Sequence, residues 1–240
     1  MFDEQVLAHT YAVADRSQPH LRVNFISSLD GAAWHDGRSG PLNDEWDQQV
    51  FGMLRKLADV VLVGAGTIRV EGYGGLRLDE ASRQWRTAHG LVPQPPLAIV
   101  SHDLALDPAS EVFTDAPVRP LVITHGGAPA DRRAALADVA DLVVHGQQRV
   151  DLGAARAELV ERGLPQMLCE GGPTLFGSLI AADAVDELDL TLSPVLESGT
   201  AGRIARGPQH TVPMRLAHAL PGGPMLFLRY LRASVGFATS

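Results

Sequence analysis

Apolar and polar positions divide this chain into short strands alternating with helices. Residues 21–26 (LRVNFI), 59–64 (DVVLVG), 97–100 (LAIV), 121–124 (LVIT), 142–145 (LVVH) and 167–169 (MLC) are short apolar runs of buried-strand length. Helical spacing separates several of them. Asn43 is placed to cap a helix running to about Leu57, with Trp46, Val50, Phe51 and Leu54 as its apolar stripe. Residues 131–139 and 152–162 read as helices, the second stopped by Gly163. Residues 79–91 fit an exposed helix or a long loop equally well. Residues 1–20 read as a preamble, with Pro19 just before the first core strand. Residues 186–192 (DELDLTL) alternate acidic and apolar, the pattern of a half-buried strand. Two late strands, at about 210–219 and 225–231, flank Pro221-Gly222-Gly223-Pro224, which reads as a hairpin turn.

Strands alternating with helices as far as Ile180 predict an α/β fold with a mostly parallel sheet covered on both faces. The last strands lack intervening helices, so an antiparallel C-terminal edge is expected. No repeat, low-complexity tract or long linker interrupts the pattern. A single domain over residues 1–240 is expected, with its core at about 20–232.

Residues 167–180 (MLCEGGPTLFGSLI) organise this scheme. A strand ends at Glu170, Gly171 and Gly172 turn, and Pro173 opens a helix carrying Leu175, Phe176, Leu179 and Ile180 at helical spacing. A helix N-terminus presents free N–H groups and partial positive charge, which suits a phosphate. A second bend, Gly64-Ala65-Gly66-Thr67, follows another strand. Arg69 stands where a Rossmann fingerprint has its third glycine, so neither bend is that motif. Ligands of open α/β sheets bind beyond the carboxyl ends of the strands. Residues 28–31, 64–67, Ser101 and 170–174 all fall there. Two glycine bends can hold the ends of a dinucleotide diphosphate; each alone is equally well a tight strand–helix connection. Ser101 either accepts a hydrogen bond from such a cofactor or caps a turn.

A net charge of −8 argues against nucleic acid or an anionic membrane as partner. No apolar run reaches the roughly 18 residues of a membrane span. The first residues lack the basic start and apolar core of a signal peptide, and the single cysteine, Cys169, allows no internal disulfide. A cytoplasmic protein is expected, with Cys169 a buried core thiol. Lysine occurs only at Lys56 while arginine is common, which reads as a base-composition bias.

The motifs Ser28-Leu29-Asp30-Gly31, Val63-Gly64-Ala65-Gly66-Thr67, Glu170-Gly171-Gly172-Pro173-Thr174-Leu175, and Val185-Asp186-Glu187-Leu188 leading to Ser193-Pro194-Val195 stand in an order and spacing that resemble the riboflavin-pathway pyrimidine reductases. These form the reductase part of the bifunctional deaminase–reductases. The resemblance spans nearly all of residues 20–232. It implies a three-layer dihydrofolate-reductase-like fold, NADPH as cofactor, a homodimer, and reduction of the ribose of a 5-amino-6-(5-phosphoribosylamino)uracil to ribitol. The deaminase part has no counterpart here. Its His/Cys/Cys zinc site cannot be built from one cysteine, so no metal is expected and the deamination is expected in another protein.

Carried over by that resemblance, the cofactor contacts are Gly64, Ala65, Gly66, Thr67, Glu71, Ser101, Gly171, Gly172, Pro173, Thr174, Leu175 and Phe176. The substrate contacts are Ser39, Arg55, Arg77 and Glu170. Two arginines suit a sugar phosphate, and Glu170 can accept hydrogen bonds from pyrimidine amino groups. The other readings are a solvated helix-end charge for Arg55, a plain loop position for Arg77 and a turn residue for Asp30. The family often has a lysine four residues before the serine of Ser-Leu-Asp-Gly, where this chain has Asn24. It often has a tryptophan soon after the loop serine, where this chain has about Pro41. Hydride is expected to pass from the nicotinamide to the sugar C1′ of a ring-opened imine, with Glu170, or a water it holds with Asn24, giving the proton. Two rivals share the motifs: a dihydropterin or dihydrofolate reductase, which has less need of Arg55 and Arg77, and a protein that binds NADPH without catalysis.

Overall fold

The computed structural model describes residues 1–233. Its strands are β1 (His20–Ser28), β2 (Val60–Gly64), β3 (Leu97–Val100), β4 (Leu121–Thr124), β5 (Asp141–Val144), β6 (Gln166–Cys169), β7 (Glu187–Ser193), β8 (Met214–Gly222) and β9 (Met225–Arg232). Its helices are α1 (Glu4–Tyr11), α2 (Glu45–Leu57), α3 (Ala65–Glu71), α4 (Glu80–Ala88), α5 (Glu111–Thr114), α6 (Ala130–Ala137), α7 (Leu152–Glu161) and α8 (Pro173–Ala181). The strands form one nine-stranded sheet in the order β5-β4-β3-β2-β6-β1-β7-β9-β8. Strands β1 to β7 run parallel, and β9 and β8 add the antiparallel edge expected from the sequence.

The apolar runs are continuous because the central strands are buried on both faces. Val61 and Val63 of β2 pack in a cluster with Leu54 of α2 and Leu136 of α6. Val60 and Leu62 pack on the other face with Leu159 of α7 and Leu179 of α8. Helices therefore cover both sides of this part of the sheet.

Four local expectations change. The preamble contains α1, capped by Asp3, with Leu7 and Tyr11 buried against the core. The cap of α2 is Asp44 rather than Asn43, its carboxylate accepting from the Trp46 and Asp47 N–H groups at 2.8 and 3.0 Å. Residues 79–91 resolve into α4, capped by Asp79. Arg86 fixes that helix by donating to the carbonyls of Val92, Lys56 and Ala58 from a nearly sealed site, and burial pulls its pKa down to about 10.

The fourth change concerns β7. Its alternation is real, but the polar side faces inward. Glu187, Asp189, Thr191 and Ser193 are buried, while Leu188, Leu190 and Leu192 are half exposed. Opposite-strand cations permit this. Glu187 meets His20 at 2.9 Å, Arg22 at 3.1 Å and Arg229 at 2.8 Å. Burial acts to raise its pKa, but Arg22, His20 and Arg229 together hold it well below the carboxylate range. Asp189 has no donor among the described residues, and burial, then the Glu187 charge, push its pKa well up. The leucines of β7 pair across to Tyr230, Leu228 and Leu226 of β9, giving an apolar sheet face left half open.

The hairpin expectation holds: Gly222 pairs with Met225, leaving a two-residue turn in which Gly223 has φ 55°. Among the described residues no helix is long and apolar enough to cross a membrane.

Candidate active site

The two glycine bends meet because β2 and β6 are neighbours in the sheet. The Gly64 N–H donates to the Gly171 carbonyl at 3.0 Å, and the Glu170 N–H donates to the Leu62 carbonyl at 3.0 Å. Gly171 has φ 134° and Gly172 φ 51°, conformations that L side chains avoid. A Cβ on Gly172 would lie 2.8 Å from Thr67 Oγ1, so bare backbone is required where the bends touch. No side chain caps the first turn of α8, and Pro173 there has no N–H to satisfy.

Both bends line one cavity of about 540 Å³. Gly64, Gly66, Thr67 and Glu71 come from the first bend and α3. Gly171, Gly172, Pro173, Thr174 and Leu175 come from the second. Ala65 and Phe176 lie behind this wall; the Phe176 ring stacks on Phe25 with centroids 5.0 Å apart. Asn24 of β1, Ser39 and Glu170 also line it. Ser39 donates to Glu71 through its N–H at 3.2 Å and its hydroxyl at 3.1 Å, drawing its loop over the cavity.

Three expected contacts are redirected. Ser101 is buried outside the cavity wall, where its Oγ accepts the Leu104 N–H at 3.0 Å and so closes a turn. Arg77 is exposed and donates to the carboxylate and carbonyl of Asp115, both at 2.9 Å. Arg55 lays its guanidinium fork on Glu170, Nε to Oε1 at 2.5 Å and Nη2 to Oε2 at 2.7 Å. Each guanidinium thus has a protein carboxylate as partner, and the anion clamp expected of Arg55 with Arg77 is not assembled.

Glu170 is the other half of that contact. Its side chain is fully buried, and Tyr73 also donates to it at 3.2 Å. Burial acts to lower the pKa of Arg55, but the Glu170 charge outweighs it and holds the arginine protonated. Burial, then the Glu170 charge, keep the Tyr73 hydroxyl protonated as well. A carboxylate gripped from both sides in this way is held in one place in the cavity wall. Cys169 beside it is sealed, and burial raises its thiol to about 12. Asp30 is the turn residue the sequence allowed: it accepts from Ser28 and the N–H groups of Glu197 and Ser198, which lower it to about 2.

Several wall residues were not singled out from the sequence as chemistry-bearing. Trp34 and Tyr73 bring aromatic rings, and Phe51 turns from the helix stripe into the cavity. Asp47 is the most consequential. It is 8 % exposed, and its Oδ1 accepts the Thr191 hydroxyl at 2.7 Å. Burial raises its pKa, the Thr191 hydrogen bond opposes this, and the Asp44 charge adds to it. The signal was present: Asp47 stands three residues before Val50 and seven before Leu54, an acid on the apolar face of a helix. A cleft near Arg16 and His20, at about 10 Å³, has room for about one water.

The sheet and the twin bends define an α/β protein with a nucleotide-sized site at the carboxyl edge of its strands. The chain belongs to the RibD C-terminal domain family, whose model matches residues 19–228. It is 28 % identical over 183 residues to the 2,5-diamino-6-ribosylamino-4(3H)-pyrimidinone 5′-phosphate reductase of Archaeoglobus fulgidus, covering 76 % of this chain and 83 % of that one. A solved pyrimidine reductase-like protein from Corynebacterium diphtheriae superposes with a TM-score of 0.85 at 29 % identity, covering 97 % of this chain and 99 % of the other. Dihydrofolate reductase from Enterococcus faecalis, solved with NADP(H), superposes at 0.51 with 14 % identity over 90 % of this chain and 97 % of its own, a likeness of fold.

Proposed function

We propose that this protein is an NADPH-dependent reductase that converts the ribose of a phosphoribosylamino-pyrimidine to the open ribityl chain in riboflavin biosynthesis, in the cytoplasm. The observation that carries this reading is the meeting of the two glycine bends over one cavity, in a chain of the RibD C-terminal domain family.

The residues suit a dinucleotide. The bare backbone at Gly171 and Gly172 and the uncapped start of α8 form a cradle that a Cβ would fill. Thr67 and Thr174 offer hydroxyls beside it. A bound nicotinamide supplies hydride. The chain's own part is to fix the sugar near that ring, exclude water and hold the charges still. Glu170, pinned by Arg55 and Tyr73, sets a fixed negative charge in the cavity wall. Asn24 cannot give or take a proton near neutral pH, so its part is to orient the substrate or a water.

One observation favours a second reading, a reductase for an unphosphorylated dihydropterin. Arg55 and Arg77 already have carboxylate partners. A ring substrate without phosphate has no need of either.

The protein is proposed to act as a homodimer through the half-open face of Leu188, Leu190, Leu192, Leu226 and Leu228, which the exposed Leu216 extends. The functional test is steady-state NADPH oxidation with the diamino-pyrimidinone ribosyl phosphate and, side by side, dihydrofolate. Turnover of the first with release of the ribityl product supports the principal reading. Turnover of dihydrofolate alone selects the second, and turnover of neither overturns both.

A further inference from the structure

We propose that Asp189 and Glu187 hold a single negative charge between them, that Arg22 and Arg229 are thereby left one positive charge in surplus behind the cavity wall, and that this surplus makes the site prefer the uncharged reduced nicotinamide to its cationic oxidised form. This rests on the nicotinamide reading above.

The two acids stand two residues apart on the inward side of β7, and both are buried. Glu187 takes the cations: Arg22 of β1 at 3.1 Å, Arg229 of β9 at 2.8 Å and His20 at 2.9 Å. Among the described residues the nearest cation to Asp189 is Arg22, its Nε at 3.9 Å, and neither Asp189 oxygen has a donor. The other elements around the cluster bring Tyr11 of α1 and His218 of β8, whose rings meet edge to face at 5.2 Å. Burial, then the Asp189 charge, keep the Tyr11 hydroxyl protonated, and burial, then the Arg229 charge, favour the neutral His218 ring. Neither supplies a compensating charge. Two neighbouring carboxylates in such a place cannot both ionise cheaply. The proton falls to the one without a close cation. Burial, the Glu187 charge and a hydrogen bond to Glu187 all act in that direction, against the Arg22 charge. Two guanidinium charges then face one carboxylate. Arg22 Nη1 and Arg229 Nε are left without acceptors among the described residues, as a surplus of donors requires.

The cluster lies directly behind the cavity. Asp189 is in register with Asn24 on the adjacent parallel strand, and Asn24 lines the cavity. Thr191, the next inward residue of β7, holds Asp47 in the same wall. Adjacent strands are about 4.8 Å apart, which puts the surplus charge within about 10 Å of a ring lying against Asn24. The wall itself has three acids, Asp47, Glu71 and Glu170, and no lysine, arginine or histidine among its described lining residues. Arg55 offsets only Glu170. Such a wall by itself attracts the cationic nicotinamide, which is the product of hydride transfer, and so holds back its release. A positive charge behind Asn24 opposes that attraction, and at this distance one unit charge is worth about tenfold in affinity.

The test has two parts. Infrared difference spectra of the unliganded protein, wild type minus Asp189→Asn, should show the carbonyl band of a protonated carboxyl at about pH 6. Calorimetry then gives the affinities for NADPH and NADP⁺, which carry the same phosphates and differ in the charge on the ring. Asparagine keeps position 189 neutral. The preference for NADPH over NADP⁺ should therefore match in the two proteins at about pH 6 and stay level in Asp189→Asn as pH rises. In wild type it should fall about tenfold as the carboxyl band titrates away. At fixed pH, Arg22→Met should lower the preference by a similar factor and Arg22→Lys should retain it. If Arg22→Met does not fold, the comparison with Asp189→Asn decides. Absence of the band, or a preference that follows neither the band nor the Arg22 charge, would overturn the inference. Failure of wild type to bind either nucleotide would overturn the nicotinamide reading and the preference together, while the band would still report the shared proton.

Discussion

Arg55 and Glu170 stand 115 residues apart in the chain and meet as a planar fork on a carboxylate, at 2.5 and 2.7 Å. The contact joins the last turns of α2 to the tip of β6, so one wall of the cavity is locked to the sheet. Glu170 has no exposed side-chain surface. Removing its cation strands a buried charge, which costs about 3–5 kcal/mol. Arg55→Leu should therefore be strongly destabilising in urea unfolding. Arg55→Leu combined with Glu170→Leu should recover most of that loss while leaving turnover abolished. A double variant no more stable than Arg55→Leu alone would contradict the pairing.

The bend at Gly172 gives a second expectation. Alanine there must adopt φ near 51° and place its Cβ 2.8 Å from Thr67 Oγ1. Gly163 also has positive φ, at 79°, but a Cβ there meets nothing within 4 Å. Gly163→Ala should lose about 1 kcal/mol of stability from backbone strain, and Gly172→Ala more, because φ 51° with ψ 142° lies outside the left-handed region and its Cβ meets Thr67. Only Gly172→Ala should also weaken NADPH binding, by about tenfold, through displacement of the touching bends. Fluorescence titration of the two variants checks the contrast.

The inward acids of β7 predict a pH dependence of stability. Asp189 has a folded pKa raised by burial and by Glu187. Above the unfolded value near 3.9 the native state keeps a proton that the unfolded chain has released, so stability falls as pH rises toward the folded value. Glu187 has a lowered pKa and runs the other way: its contribution is present above the ordinary glutamate range and is lost as pH falls through the folded value. Asp189→Asn removes only the first effect. Its urea midpoint relative to wild type should improve as pH rises above the ordinary aspartate range. An offset independent of pH would show that Asp189 carries no extra proton.

Leu190 and Leu228 sit side by side on the half-open face of β7 and β9. If that face joins two copies, Leu228→Glu should convert a dimer to a folded monomer in sedimentation velocity, with the circular dichroism spectrum unchanged. A monomeric wild type would remove the proposed interface.

What the sequence revealed follows from how local each signal is. The runs at residues 97–100 and 121–124 coincide with β3 and β4 because a strand buried on both faces announces itself by composition alone. The bend at Gly171 and Gly172 was equally legible, since positive φ and the close approach to Thr67 leave few other residues there. The helix α1 was missed because it buries only Leu7 and Tyr11, one turn apart, too little for a periodic stripe. On β7 the alternation was plain but its phase was not. Which side faces inward depends on Arg22 and Arg229, which come from strands distant in sequence. The carboxylate partners of Arg55 and Arg77 were not legible for a like reason: a residue type shows what a side chain can grip, and only the folded chain shows what it already holds. Asp47 was legible as an acid on the apolar face of α2, but its Thr191 partner lies 144 residues away and only the fold brings it near.

The most direct measurement is a crystal structure of the protein with NADPH bound. The account predicts the diphosphate against the bends at Gly64 and Gly171, with the nicotinamide in the cavity floored by Glu170 and Asp47. Absence of binding at saturating NADPH, or a cofactor seated away from both bends, would contradict it.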